Sequence, residues 1–146
     1  MNAFPNFTIP LVDGNDKFDI HFVSLFSKKA NAIPILLLHG WPGSFLEFLP
    51  MLSIIASQYT PSTLPYHFIV PSLPGYAFSS EPPLDRDFQI QDIARVMNGL
   101  MMQLGFEKYV VQGGDIGSKV ARVLVVEHEA CVAAHCTSPP PCPLLR

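Results

Sequence analysis

Val110-Val111-Gln112-Gly113-Gly114-Asp115-Ile116-Gly117-Ser118 is the stretch on which the fold turns. Its apolar start predicts a buried strand, its glycines a tight turn, and the residues after Gly117 a helix. The pattern is G-x-D-x-G. In the G-x-S-x-G form a serine occupies the tip of a strained strand-to-helix turn, with its side chain clear of the sheet. Glycine at 113, 114 and 117 allows the bend and the close approach of the helix, which a β-carbon would obstruct. Aspartate changes the chemistry. A carboxylate is already ionised at neutral pH and attacks without a general base. At a carbon bearing a leaving group it forms an ester, and it is ill suited to cleaving a peptide. The same residues also fit an aspartate that only caps a helix. The turn by itself leaves both open.

A second stretch lies upstream. Ile33 to His39 is a continuous apolar run, as in a central parallel strand covered on both faces, with Pro34 at its start. His39-Gly40-Trp41-Pro42-Gly43-Ser44 follows directly. Ser44-x-x-Glu47 has the form of a capping box, and Pro50 predicts a kink or split in the helix it opens. Tyr66 to Pro71 is another apolar strand, ending in Pro71-Ser72-Leu73-Pro74-Gly75-Tyr76.

Before these, Phe7 to Val12 and Phe18 to Leu25 read as an edge hairpin, with His21 on a wetter face. Asp87 to Leu104 carries apolar residues at helical spacing and ends at Gly105. Its Met97, Met101 and Met102 are predicted to pack in the core. Gly117 to Glu129 is the helix after the aspartate turn, and Cys131 to Thr137 a last strand. The order β-β-β-α-β-α-β-α-β predicts an α/β fold with a mostly parallel sheet and helices on both faces, over residues 1–137. Residues 138–146 form a proline-rich tail. Ligands of such sheets bind beyond the carboxyl ends of the strands, where His39 to Trp41, Pro71 to Tyr76 and Asp115 all fall.

Composition narrows the classes. The chain of 146 residues is 49% hydrophobic and 14% charged, which suits strands buried on both faces. A net charge of −3 gives no basic footprint for nucleic acid. No apolar run is long enough for a membrane span, and the N-terminus lacks the basic-then-apolar order of a signal peptide. Cys131, Cys136 and Cys142 form no C-x-x-C pair, so no metal site is expected, and reduced thiols in the cytoplasm are.

Three stretches together resemble the microsomal-type epoxide hydrolases of the α/β-hydrolase superfamily, including the fungal and juvenile-hormone branches. They are His39 to Ser44 with Glu47-Phe48-Leu49-Pro50, Pro71 to Ser80, and Gln112 to Ser118. The resemblance implies Asp115 as nucleophile, opening a small apolar epoxide to a glycol-ester that water then hydrolyses. It implies an oxyanion hole from the backbone N–H groups of Trp41 and Ile116, with Pro42 and Gly43 shaping the loop and Gly40 beside it. His39 is expected to be a structural hydrogen-bonding residue and not the base. No cofactor is implied.

The departures lie downstream. In the family the acid and the catalytic histidine follow the nucleophile, and tyrosines come from a lid. Here only His128 and His135 follow Asp115, and Tyr59, Tyr66, Tyr76 and Tyr109 all precede it. His128, between Glu127 and Glu129, is expected to face solvent. The expectation is a partial α/β-hydrolase fold, truncated, without lid or C-terminal half, impaired in turnover and prone to self-association through an exposed sheet edge. A dehalogenase with the same nucleophile and an inert or partner-dependent chain are the alternatives.

Overall fold

The computed structural model describes residues 4–137; the proline-rich tail and Cys142 lie outside the described residues. Six strands form one sheet: β1 (Asn6–Asp13), β2 (Asp16–Leu25), β3 (Ile33–Leu38), β4 (Tyr66–Pro71), β5 (Tyr109–Gly113) and β6 (Cys131–Cys136), in the spatial order β1-β2-β4-β3-β5-β6. Helices α1 (Leu49–Gln58), α2 (Ile90–Gln103) and α3 (Asp115–Glu127) connect them. β1 and β2 are an antiparallel hairpin at one edge, β2 also runs antiparallel to β4, and β3, β4, β5 and β6 are parallel to one another.

The two faces carry separate cores. On one, Phe45, Leu52 and Leu64 pack on Val23, Leu37, Phe68 and Val70. On the other, α2 and α3 place Met97, Leu100, Val120 and Leu124 against Ile20, Phe22, Leu36, Leu38, Ile69 and Val111. Alternation along each strand sends neighbouring residues to opposite cores, so a continuous apolar run is what a doubly covered strand requires.

The element ends have local causes. Ser44 accepts a bond from Leu46 N–H (3.4 Å) and opens a short 3-10 turn, Phe45–Phe48, and not the α-helix that its spacing to Glu47 predicts. The α-helix starts behind it, with Pro50 in the first turn, where a missing N–H goes unused. α2 begins at Ile90 and not near Asp87, because Gln89 and Asp92 cap its end reciprocally. Asp92 also binds Arg86 (3.2 Å) and Arg95 (2.5 Å), which reach Asp16 and Asp13 in the β1–β2 turn. This ties the hairpin to α2. Gly105, at φ +85°, ends the helix in the left-handed region. Met97 and Met101 are buried, but Met102 is 45% exposed, one residue round the helix from the core stripe.

His21 departs most from its sequence expectation. It is buried, not on a wet face, because the 3-10 turn and the loop after β4 cover that side of β2 with Phe45 and Phe78. Its Nε2–H donates to Asn6 Oδ1 and its Nδ1 accepts from the Ser72 hydroxyl, both at 2.9 Å. His67 Nδ1 accepts from Ser27 N–H at 3.2 Å. Each ring uses a lone pair that only neutral imidazole has. Burial holds both below the ordinary histidine range. Above about pH 6.5 the folded and unfolded rings are both neutral, and below it the unfolded chain takes up protons first. Stability is therefore full above that pH and falls as acid is added. The urea midpoint is expected to be lower at pH 5.5 than at 7.5, and replacing His21 and His67 by glutamine should reduce the difference.

Candidate active site

β3 and β5 are neighbours in the sheet, with Leu38 beside Gly113. From β3 the chain passes through α1 to β4 on one side, and from β5 through α3 to β6 on the other. The crevice between their carboxyl ends is the switch point of the sheet. The loop starting at His39 and the turn of Gly113-Gly114-Asp115 both emerge there.

Missing side chains bring them together. A β-carbon on Gly117 would strike the carbonyl oxygens of Leu38 and His39, the latter at 2.8 Å. One on Gly113 would strike the Gly117 carbonyl, and one on Gly40 would lie 2.9 Å from the Asp115 β-carbon. Gly114 runs close to Thr137 Oγ1, and Gly43 lies against the Glu47 carboxylate. The Trp41–Pro42 peptide is cis.

Asp115 is the first residue of α3, two positions before the predicted helix start, and it has φ +48°. That conformation costs a residue with a β-carbon about 1–2 kcal/mol. The Ser118 hydroxyl donates to the Asp115 carbonyl at 2.6 Å and fixes the peptide there. This role of Ser118 is not part of the G-x-D-x-G pattern; its signal in the sequence is a hydroxyl three residues after Asp115, one helical turn away.

The Asp115 carboxylate is exposed at the rim, and its Oδ2 accepts from Trp41 N–H at 2.8 Å. That bond, then one from Ile116 N–H, holds the carboxyl below the usual carboxylate range, with help from the Lys119 charge. The nucleophile candidate and both backbone donor candidates are thus within one hydrogen-bonded unit. The Trp41 ring itself is 70% exposed, and Phe78 is 54% exposed on the neighbouring loop.

His39 is fully buried behind this rim. Its Nδ1–H donates to Gly40 O at 3.0 Å, its Nε2 accepts from Leu73 N–H at 3.1 Å, and its ring meets Tyr76 edge-on at 4.8 Å. Burial pushes its pKa down, against weaker upward pulls from the Gly40 carbonyl and Glu47.

The histidines after Asp115 stand elsewhere. His128 caps the far end of α3, about 20 Å from Asp115 at 1.5 Å per residue. It is half-buried, with Nε2 unpartnered among the described residues, and does not face solvent as expected. His135 is exposed on β6 beside Gln112.

Comparison with known proteins gives the family of the chain. Residues 33–145 match the family model described as alpha/beta hydrolase fold, and the chain belongs to that family. Residues 1–48 match the model described as epoxide hydrolase N terminus. Within the family the resemblance to epoxide hydrolases extends to solved structures. The Aspergillus niger epoxide hydrolase is 53% identical with a TM-score of 0.87, over 99% of this chain and 38% of that one. The juvenile hormone epoxide hydrolase of Bombyx mori is 30% identical with a TM-score of 0.78, over 92% of this chain and 35% of that one. A Dothistroma septosporum relative is 43% identical over 145 residues, which are 97% of this chain and 34% of that protein. The chain thus spans about a third of the length of the curated relatives it matches.

Gly117→Ala is expected to lower stability by about 1–3 kcal/mol, the range for overpacking, because the atoms in its way are backbone and cannot turn aside. Urea denaturation checks this. Gly99, with open space around its would-be β-carbon, is the control: Gly99→Ala should be neutral or stabilising.

Proposed function

We propose that the chain carries the ester-forming half of an epoxide hydrolase site, with Asp115 as nucleophile. The observation that carries this is the 2.8 Å bond from Trp41 N–H to Asp115 Oδ2 on a turn held at φ +48°. The likeness to structures named as epoxide hydrolases supports it.

In this reaction the other carboxylate oxygen bonds to a ring carbon of a small apolar epoxide. The ring C–O bond breaks, its electron pair stays on the departing oxygen, and that alkoxide takes a proton from solvent. The oxygen held by Trp41 becomes the ester carbonyl. When water attacks that carbonyl, negative charge gathers on the atom that already accepts from Trp41 N–H, with the Ile116 N–H on the same carboxyl group, as an oxyanion hole requires. The exposed Trp41 and Phe78 rings offer apolar surface to the substrate.

Among the described residues, neither His128 nor His135 stands beside Asp115, and both nitrogens of His39 are engaged. With no histidine free to activate water, the ester outlives its formation. Incubation with an aryl epoxide is expected to add the full mass of the epoxide to the Asp115 peptide, and Asp115→Asn to abolish the adduct. Unlabelled wild-type chain sinks this proposal. Halide release from a haloalkane, with alkylation of the same peptide, replaces it by the dehalogenase.

The same proposal includes self-association and a cytoplasmic setting. The outer edge of β6 pairs with no strand among the described residues, and Val132 on it is 56% exposed. Val110, Gln112, Ala133 and His135 line an open trough beside that edge. Cys131 and Cys136 are free thiols, as a reducing compartment would keep them. Size-exclusion chromatography is expected to show a concentration-dependent oligomer, shifted toward monomer by Val132→Lys, since an edge lysine opposes strand addition.

A further inference from the structure

We propose that His39 is a positioning residue: its neutral Nδ1–H tautomer locks the 40–43 loop to Leu73 and so holds Trp41 N–H on Asp115, which makes this donor dependent on pH. The inference rests on the assignment of Trp41 N–H as an oxyanion donor.

Both ring nitrogens have fixed and opposite duties. Gly40 O is a carbonyl oxygen and can only accept, so Nδ1 must carry the proton. Leu73 N–H can only donate, so Nε2 must be bare. The tautomer therefore follows from backbone partners. A second proton on the ring would set N–H against N–H at Leu73 in a fully buried place. An unmet buried donor is costly, so the ring and the loop after β4 must part. Gly40 is bonded to the same ring, and the next residue donates the hydrogen bond to Asp115. Displacing the ring thus displaces the donor.

Other charged and titratable groups surround it. Glu47 on the 3-10 turn opposes the burial effect and favours protonation. Tyr76 meets the ring edge-on. Asp115 lies against Gly40, with Lys119 one turn further along α3. His21 reaches the same loop through Ser72. The Trp41 and Ile116 N–H groups hold the Asp115 carboxyl below the usual carboxylate range, and burial pushes His39 below the ordinary histidine value.

Trp41 is the only tryptophan of the chain, so its emission reports on this loop alone. The full chain is titrated from pH 8 to 4.5, with far-UV circular dichroism to confirm that it stays folded. Wild type, Asp115→Asn and His21→Gln are expected to show an emission transition with a midpoint below 6.5, the ordinary histidine value. His39→Gln supplies one acceptor and one donor and does not titrate, so it should show none. Glu47→Gln should move the midpoint lower.

An emission transition retained in His39→Gln, or absent from folded wild type, overturns the proposal. If His39→Gln does not fold, ¹⁵N imidazole shifts of the wild-type chain decide. A protonated Nε2 at pH 7.5, or a His39 titration that does not coincide with the Trp41 transition, overturns it; a bare Nε2 with coincident titration supports it. Failure of any epoxide to label Asp115 sinks the proposed reaction and leaves the emission result standing by itself.

Discussion

Nothing but hydrogen stands between Gly117 on α3 and the carbonyl oxygens that end β3. That close approach of two backbones fixes the rest of the site. It allows α3 to begin at Asp115, directly behind β5, and it makes the turn so sharp that Asp115 takes a left-handed conformation. It also brings the loop after β3 near enough for Trp41 N–H to reach the carboxylate. A side chain at 40, 113 or 117 would open the gap that this hydrogen bond spans. The strain at Asp115 is offset by three hydrogen bonds: Ser118 Oγ–H on its carbonyl, and the Trp41 and Ile116 N–H groups on its carboxylate.

Behind this rim the protein holds histidines neutral. His21, His39 and His67 each spend a ring lone pair on a donor that has no other duty nearby, the Ser72 hydroxyl or the N–H of Leu73 or Ser27. These bonds join β2, β3 and β4 to the loops around them. In front of the rim the arrangement is open. The carboxylate, the Trp41 ring and the Phe78 ring are all accessible.

Charge is handled separately, at the N-terminal end of α2. Asp92 gathers Arg86 and Arg95, and these grip the two aspartates of the hairpin turn. The edge hairpin, which buries less than the central strands, is thereby clipped to α2. Among the described residues no such ion pairs reach the opposite edge. β6 ends the sheet among the described residues, and its sequence Cys131-Val-Ala-Ala-His-Cys136 holds no lysine, arginine or carboxylate.

The sequence alone determined the element order, all six strands to within a few residues, and the meeting of three loops at one rim. Period and punctuation suffice for that: a doubly buried strand must be apolar throughout, and glycine and proline mark where chain direction changes. It also pointed to Asp115, because G-x-D-x-G after a strand has few geometric solutions. Tertiary structure decided what depends on neighbours distant in the chain. His21 alternates like an exposed residue, yet a turn 24 positions later covers it. His128 sits between two glutamates, yet it is half-buried. The tautomer of His39 was set by Leu73, 34 residues away, since a ring nitrogen learns its role only from the partner it meets.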